Sequence, residues 1–178
     1  MQKKLELSLS LVIDWLKFAE AKNATFIAAN GVAIFGVLRL LESDFFSNTL
    51  YVIYIYQALF FLFLSATFCF VSFVPQVDIS WLASKKITQE KDNLLAYADI
   101  AKYEPDLYLE AMYKQGGVNL KEISPFEKNL AELIVLYSRI AMRKYALFNL
   151  GIWCLLSAIA TPIIALGIYF IRRSYVKA

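Results

Sequence analysis

The chain has 178 residues, of which 60% are apolar, 16% are aromatic and only 19% are charged. Soluble domains carry about 25% charged residues, so this composition favours a membrane protein. The formal net charge of +3 is too small to indicate nucleic-acid binding, and the absence of histidine removes the commonest general base and metal ligand.

The first predicted element is an amphipathic helix over residues 3–23. Its apolar residues recur at steps of three and four, which is the spacing of one helical face. No proline interrupts the helix and the first glycine is Gly31, so we expect it to continue into a first membrane span over residues 24–41. The apolar positions are Leu5, Leu9, Val12, Leu16 and Ala19, with Leu7, Leu11, Trp15 and Phe18 widening the face.

Two long uncharged stretches predict further membrane spans. No charged residue occurs between Phe45 and Pro75, or between Tyr145 and Ile171. About 20 apolar residues are enough to cross the roughly 30 Å hydrocarbon layer. We therefore expect a second span over residues 50–74, ended by Pro75, and a third over residues 145–171. The acidic turn at residues 42–44 would join the first two spans as a helical hairpin.

The polar insert between the second and third spans is expected to be helical. Residues 88–103 are predicted to form one helix, and a second helix begins at Pro105 and ends at Gly116 and Gly117, since proline suits a first helical turn and glycine a helix end. The residues of the first of these helices that are expected to face inward are Leu94, Leu95 and Ala98, with Ile100 or Ala101.

A third helix of the insert has a strong start signal. Ser124 is a favourable N-cap, Pro125 suits the first helical position and Glu127 completes a capping box. No helix breaker follows before Gly151, so one helix of ~70 Å is expected to run on through the third span. Its inner stripe is predicted to comprise Leu130, Leu133, Ile134, Tyr137, Ile140 and Ala141.

The predicted fold class is an all-α membrane protein. It has three transmembrane helices and a small helical cytosolic unit, with long helices continuing from the cytosol into the membrane. Three regions are expected: an amphipathic helix plus transmembrane hairpin (1–75), a cytosolic helical region (76–144), and a third transmembrane helix with a short tail (145–178). The lysines and arginines place the N-terminus and residues 76–144 in the cytoplasm, although Arg172 and Arg173 then lie outside, against the same positive-inside rule.

Three short motifs lie in a fixed order relative to these spans. They are Trp-Leu-Lys-Phe-Ala-Glu-Ala-Lys-Asn at residues 15–23, Asn-Leu-Leu-Ala-Tyr-Ala-Asp-Ile-Ala at residues 93–101, and Ile-Ala-Met-Arg-Lys-Tyr at residues 140–145. Their order resembles that in the Pycsar transmembrane effector family of bacterial anti-phage defence, and the resemblance covers roughly residues 12–160. That family commonly has glycine at the position of Ala98.

The resemblance implies a function. Such effectors are functionally paired with a nucleotide cyclase that makes cyclic UMP or cyclic CMP during infection, and this second messenger activates them. The effector then oligomerises or rearranges in the lipid bilayer and impairs the cell inner membrane, which causes abortive infection. On this basis residues 76–144 are the sensor region, the chain is a multi-pass inner-membrane protein and a homo-oligomer, and no cofactor is expected besides the cyclic pyrimidine mononucleotide as activating ligand.

A site for such a ligand needs a cation for the phosphate, amide or hydroxyl groups for the sugar, and an aromatic face for the base. Asn93 and Tyr97 are the candidates for the base or sugar, and Arg139 or Arg143 for the phosphate. Further candidates at the mouths of the first and third spans are Lys22, Asn23 and Lys144.

These polar residues also have a purely structural interpretation. Residues 75–144 contain ten basic and ten acidic side chains, which suits a solvated helical bundle with ordinary ion pairs. Lys144 followed by Tyr145 is also typical of an anchor pair at a membrane interface. Asn30, within the first span, either packs against another helix or serves as an inter-subunit or pore-lining group.

No catalytic constellation is visible. Cys69 and Cys154 both lie within predicted spans, and the glycine pair at residues 116–117 is a helix stop rather than a phosphate loop. We therefore expect neither an enzyme nor a metal site. Two other functions remain open, a membrane scaffold or interaction subunit without a small ligand, and a constitutive holin-like pore.

Overall fold

A computed structural model of the protein describes residues 1–42, 49–74, 92–117 and 123–176. Within these ranges the chain is helical and contains no strand, so the predicted all-α class is confirmed. The helices in chain order are α1 (Gln2–Leu41), α2 (Thr49–Phe73), α3 (Tyr97–Ile100), α4 (Pro105–Gly116) and α5 (Pro125–Val176).

Three of these helices, α1, α2 and α5, are long and apolar enough to cross a membrane. α1 runs unbroken for 40 residues and α5 for 52, with Pro162 inside α5. At 1.5 Å per residue, α5 is about 78 Å long. The prediction that two helices continue from polar regions into membrane spans is therefore confirmed. Pro75, which was expected to end the second span, lies outside the described residues.

The chain packs as two compact units. The helical unit comprises Met1–Lys22 and Pro75–Ala146, and the membrane unit comprises Asn23–Val74 and Leu147–Ala178. α1 and α5 each contribute residues to both units. The first part of α1 therefore packs with the polar insert. The three regions predicted from sequence (1–75, 76–144 and 145–178) are instead continuous in the chain.

The core of the helical unit is formed where α1, α4 and α5 bury their apolar faces. Tyr108 of α4 is fully buried, and its hydroxyl lies 3.1 Å from the Leu94 carbonyl oxygen and 3.2 Å from the Ser8 hydroxyl oxygen. Burial raises the pKa of this phenol, which therefore stays neutral. The other buried members of the core include Leu5, Val12, Ile100, Leu109, Met112, Tyr113, Leu130, Ala131, Ile134 and Val135.

The buried helix faces are narrower than predicted. Leu133 was expected on the inner stripe of α5 but is 39% exposed. The buried residues Leu130 and Ile134 define that stripe, and Leu133 lies at its edge on the helix surface. On α1, Leu7 and Phe18 are exposed at 57% and 49%. Three of the four apolar residues that widen the sequence pattern of α1, namely Leu7, Trp15 and Phe18, are therefore exposed, and Leu11 is half-buried.

The predicted helix over residues 88–103 is wrong for the part that the structure describes. Residues 92–96 form a turn, and only Tyr97–Ile100 is helical; residues 88–91 lie outside the described ranges. The reason is local competition for the backbone: the Asn93 side-chain oxygen accepts a hydrogen bond from Leu95 N at 3.0 Å, and Asp99 accepts one from Asn93 N. Consequently Leu95 is 45% exposed and Ala98 is exposed, whereas Leu94, Ile100 and Ala101 are buried as expected.

The other predicted helix ends are confirmed. α4 begins at Pro105 and is capped by Gly117, whose φ of 65° is the left-handed conformation that favours glycine. α5 begins at Pro125 with a capping box in which Ser124 Oγ accepts from Glu127 N, and a Glu127 carboxylate oxygen accepts from Ser124 N. The same carboxylate accepts a 2.6 Å hydrogen bond from the Tyr113 hydroxyl, which ties α4 to the start of α5.

Replacing Glu127 with alanine is expected to lower the free energy of unfolding of the helical unit by about 1–3 kcal/mol, because the variant loses both the cap and the hydrogen bond from the buried Tyr113 hydroxyl. The measurement is thermal unfolding followed by circular dichroism in detergent. Glu132→Ala is the matched control, since Glu132 is exposed on the same helix. Equal losses in the two variants would contradict the assigned role of Glu127.

The membrane unit exposes many of its large apolar side chains. Val32, Phe35 and Trp153 are 75%, 65% and 68% exposed, as suits contact with lipid. The buried residues of α2 are Ala58, Leu59, Leu62, Ser65, Cys69 and Ser72, four of which are small. Small residues of this kind allow close approach of helices in a membrane.

Gly151 of α5 lies where that helix approaches α2 closely. The Ser65 hydroxyl donates to the Gly151 carbonyl oxygen at 2.8 Å. A Cβ atom at position 151 would lie only 3.1 Å from the Cys69 sulfur and 3.3 Å from the Ser65 carbonyl oxygen. A larger residue at this position would press on Cys69 and Ser65, so glycine favours the close contact between α5 and α2.

Candidate functional site

Three aromatic side chains of the helical unit meet near Ala146, the last residue of α5 in that unit. Tyr97 and Tyr145 are stacked, with ring centroids 5.1 Å apart and an interplanar angle of 21°. Trp15 of α1 packs against Tyr97 at 5.7 Å, and the Tyr145 hydroxyl donates to the Trp15 carbonyl oxygen at 3.3 Å. We call Trp15, Tyr97 and Tyr145 the aromatic cluster.

Two lysines border the aromatic cluster. The Lys22 ammonium lies 5.9 Å from the Tyr145 ring centroid and 4.7 Å from that of Phe18, within the range of cation–π attraction. Lys144, adjacent to Tyr145 in sequence, forms a 2.9 Å ion pair with Glu20. The structure therefore places positive charge directly beside aromatic faces.

The position of Tyr97 is held by hydrogen bonds and ion pairs within residues 92–104, the loop that contains the short helix α3. The Lys102 ammonium bridges the carboxylates of Asp92 and Asp99, and the Tyr103 hydroxyl donates to Asp92 at 3.3 Å. The hydrogen bonds to Asp99 and Asp92 raise the pKa of Lys102, which therefore remains charged. Asn93 also stabilises this loop, because its side-chain oxygen accepts a hydrogen bond from Leu95 N.

Burial raises the pKa of Tyr97 itself. Its hydroxyl therefore remains protonated at neutral pH, and the ring keeps the uncharged π face that stacking requires. Trp15 is 43% exposed and Tyr97 is half-buried, so one side of the aromatic cluster faces solvent.

The two candidate arginines differ in their surroundings. Arg139 donates to the carbonyl oxygens of Ala101 and Tyr103, the latter at 2.9 Å, and pairs with Glu104 at 3.0 Å. These contacts give Arg139 a role in holding the loop that carries Tyr97. Arg143, one helical turn further along α5, is only 6% exposed.

The structure places Asn23 in the membrane unit, where it is 1% exposed and its amide donates to the Ser72 hydroxyl oxygen at 2.8 Å. It therefore serves helix packing in that unit. Asn30 is also fully buried there, and its amide donates to the Phe26 carbonyl oxygen at 3.0 Å.

Of the predicted site residues, Tyr97 and Lys22 are brought together by the fold. Asn93 and Arg139 brace the loop, and Lys144 is paired with Glu20. Sequence reasoning did not propose Trp15 or Tyr145 as ligand residues, although both lie in the motifs quoted above. Tyr145 follows Lys144 at the start of a span, a position that is also typical of a membrane-interface anchor.

The geometry suits a small, flat, anionic ligand. An aromatic face offers a stacking surface of about 1–3 kcal/mol per nucleobase, and an adjacent ammonium can pair with a single phosphate charge. The braced loop limits the motion of Tyr97, which reduces the entropy that binding must offset.

A family model described as the Pycsar effector protein domain matches residues 4–171 of the chain. No curated protein and no solved structure shows a significant match. The matched region contains all three motifs and all but the first two residues of the three candidate membrane helices. The family is not known as a family of enzymes. The chain therefore belongs to the Pycsar effector family of transmembrane proteins in anti-phage defence.

Proposed function

We propose that this effector is activated by a cyclic pyrimidine mononucleotide, cyclic UMP or cyclic CMP, and then impairs the inner membrane of the infected cell. The family implies pairing with a cyclase and a cyclic-nucleotide signal. The observation that supports a site in this chain is the aromatic cluster with Lys22 beside it. It combines a surface for a base with a charge for a phosphate.

In this proposal the base stacks against the aromatic cluster, and Lys22 or Arg143 pairs with the cyclic phosphate. The helical unit, which includes residues 76–144, faces the cytoplasm in this proposal, and a cyclase would release its product there. A ligand shifts a conformational equilibrium only by its differential affinity for the two states. α1 and α5 supply two of the spans and also two residues of the aromatic cluster, Trp15 and Tyr145. A change at either residue therefore acts on a helix that continues into the membrane unit.

Damage to the membrane follows from rearrangement or self-association of the spans. Three helices in one chain are too few to enclose a conducting path, so we propose that several copies assemble or that the bilayer around them is distorted. The resulting loss of the membrane barrier stops the infected cell, which is abortive infection.

The test is the thermal stability of the purified protein in detergent against cyclic UMP, cyclic CMP, other cyclic mononucleotides and cyclic dinucleotides. Selective stabilisation by one cyclic pyrimidine monophosphate is expected, amounting to about 2.7 kcal/mol at a hundred times its dissociation constant. The linear 5′-monophosphate of the same base is the matched control, since it has the same base but a different phosphate geometry.

No response to any nucleotide at millimolar concentration, in detergent and again in lipid nanodiscs, would contradict the proposal. Nanodiscs are included because detergent disperses oligomers. Growth arrest on expression without any cyclase would instead favour a constitutive pore.

One observation favours a second function, that of a membrane-bound interaction subunit. Leu7 and Phe18 of α1 are exposed at 57% and 49%, and exposed apolar side chains on one helix are typical of docking surfaces. A partner that copurifies at fixed stoichiometry and is lost in Leu7→Ser with Phe18→Ser, without any nucleotide effect, would support this function.

A further inference from the structure

Two buried amides in the membrane unit have unsatisfied acceptors. Asn23 and Asn30 lie two helical turns apart on the same face of α1 and are 1% and 0% exposed. Each donates one hydrogen bond through Nδ2, but the Oδ1 atom of each has no hydrogen-bond partner among the described residues. Unsatisfied buried acceptors disfavour the packing that contains them.

The surroundings of Asn23 are polar for a membrane interior. Ser72 accepts the hydrogen bond from Asn23, and Ser65 and Cys69 are fully buried on the same face of α2. Ser65 donates to a carbonyl oxygen of α5. Amide, hydroxyl and thiol groups of this kind can each form hydrogen bonds with water, and a buried water needs two to four such partners.

We propose that Asn23 and Asn30 are the points at which water enters the membrane unit when its helices separate. In the packing described here their amide oxygens lack donors; in the separated packing, water donates to them and to the hydroxyls of α2. The two asparagines thereby narrow the free-energy difference between a dry and a hydrated arrangement of the spans. Polar groups within spans commonly mark such functional positions.

This inference goes beyond the proposed function, because it identifies where the membrane unit opens and does not depend on which ligand opens it. Cys69 provides a natural reporter. It is fully buried beside Ser65 and Ser72, and Cys154 is the only other cysteine in the chain. A charged, water-soluble methanethiosulfonate reagent reacts with Cys69 only when water reaches it.

The experiment measures the rate of Cys69 modification in native membranes, in a Cys154→Ala background and without added nucleotide. Asn30→Leu and Asn23→Leu, which replace each amide by an apolar group of similar size, are each expected to slow modification about tenfold. Thr67→Val and Ser157→Ala are the matched controls, since both hydroxyls bond to carbonyls of their own helix, and neither should change the rate.

An unchanged or faster rate in both leucine variants would overturn the proposal. Thermal unfolding shows whether each variant is folded, and Asn30→Ala replaces Asn30→Leu if the larger side chain prevents folding. Because no nucleotide is added, failure of the cyclic-nucleotide proposal leaves this comparison intact. A nucleotide that accelerates modification in the wild type, but not in Asn30→Leu, would link the two.

Discussion

Tyr145→Ala is expected to weaken cyclic-nucleotide binding by roughly 5- to 150-fold, which corresponds to about 1–3 kcal/mol of lost base stacking. Tyr145 is the central ring of the aromatic cluster: it stacks on Tyr97, lies under Lys22 and donates to the Trp15 carbonyl oxygen. Its removal takes away part of the stacking surface and one of the contacts that join α1 to α5. The measurement is isothermal titration in nanodiscs with the nucleotide selected by thermal stability.

Tyr145→Phe is the matched control for this variant. It keeps the ring and loses only the 3.3 Å hydrogen bond to Trp15, so its affinity should remain within a few-fold of the wild type. In cells that make the messenger, Tyr145→Ala should abolish growth arrest and Tyr145→Phe should retain it. A folded Tyr145→Ala protein that binds as tightly as the wild type would remove the aromatic cluster from the ligand site.

The same titration identifies the residue that pairs with the phosphate of the nucleotide. Lys22→Met and Arg143→Met each remove a charge and keep an apolar side chain, and the residue that pairs with the phosphate should show the larger loss of affinity. Arg139→Met is expected to act differently, because its guanidinium holds the carbonyl oxygens of Ala101 and Tyr103. Its effect should be a loss of thermal stability in the absence of ligand.

Tyr108→Ala is expected to lower the free energy of unfolding of the helical unit by about 3–5 kcal/mol, the range for removing a large buried aromatic side chain. The ring is fully buried and its hydroxyl contacts both Ser8 of α1 and the Leu94 carbonyl oxygen. Since domains are stable by only about 5–15 kcal/mol, the variant should lie close to its unfolding threshold at growth temperature.

Thermal unfolding in detergent measures this loss, and limited proteolysis shows which segments become accessible. Tyr108→Phe is the matched control and should cost about 1 kcal/mol, because the ring remains and only the hydroxyl contacts are lost. Equal stability of Tyr108→Ala and Tyr108→Phe would mean that the core is not organised around this ring.

Local signals in the sequence were sufficient for most of the helical architecture. The uncharged stretches predicted spans that agree with α2 and with the second half of α5, because crossing a hydrocarbon layer requires a minimum run of apolar residues whatever the fold. Ser124, Pro125 and Glu127 predicted the start of α5 for a similar reason, since a capping box involves only neighbouring residues. Gly117 ends α4 through its own backbone conformation.

The turn at residues 92–96 shows where local patterns failed. Apolar spacing there is compatible with a helix, but the side chains of Asn93 and Asp99 take the backbone hydrogen bonds that a helix would need. The spacing of apolar residues carries no information about these side-chain hydrogen bonds to the backbone. The exposure of Leu95 and Ala98 follows from the same turn.

By itself, then, the sequence determined that the protein is an all-α membrane protein, where its long helices begin, and which family its motifs resemble. Only the tertiary structure decided that Tyr145 meets Trp15, 130 residues away, and stacks on Tyr97, or that Asn23 bonds to Ser72, 49 residues away. Spans and caps depend on residues that are neighbours in the chain. A contact between distant residues depends on how whole helices pack, and no local spacing encodes that choice.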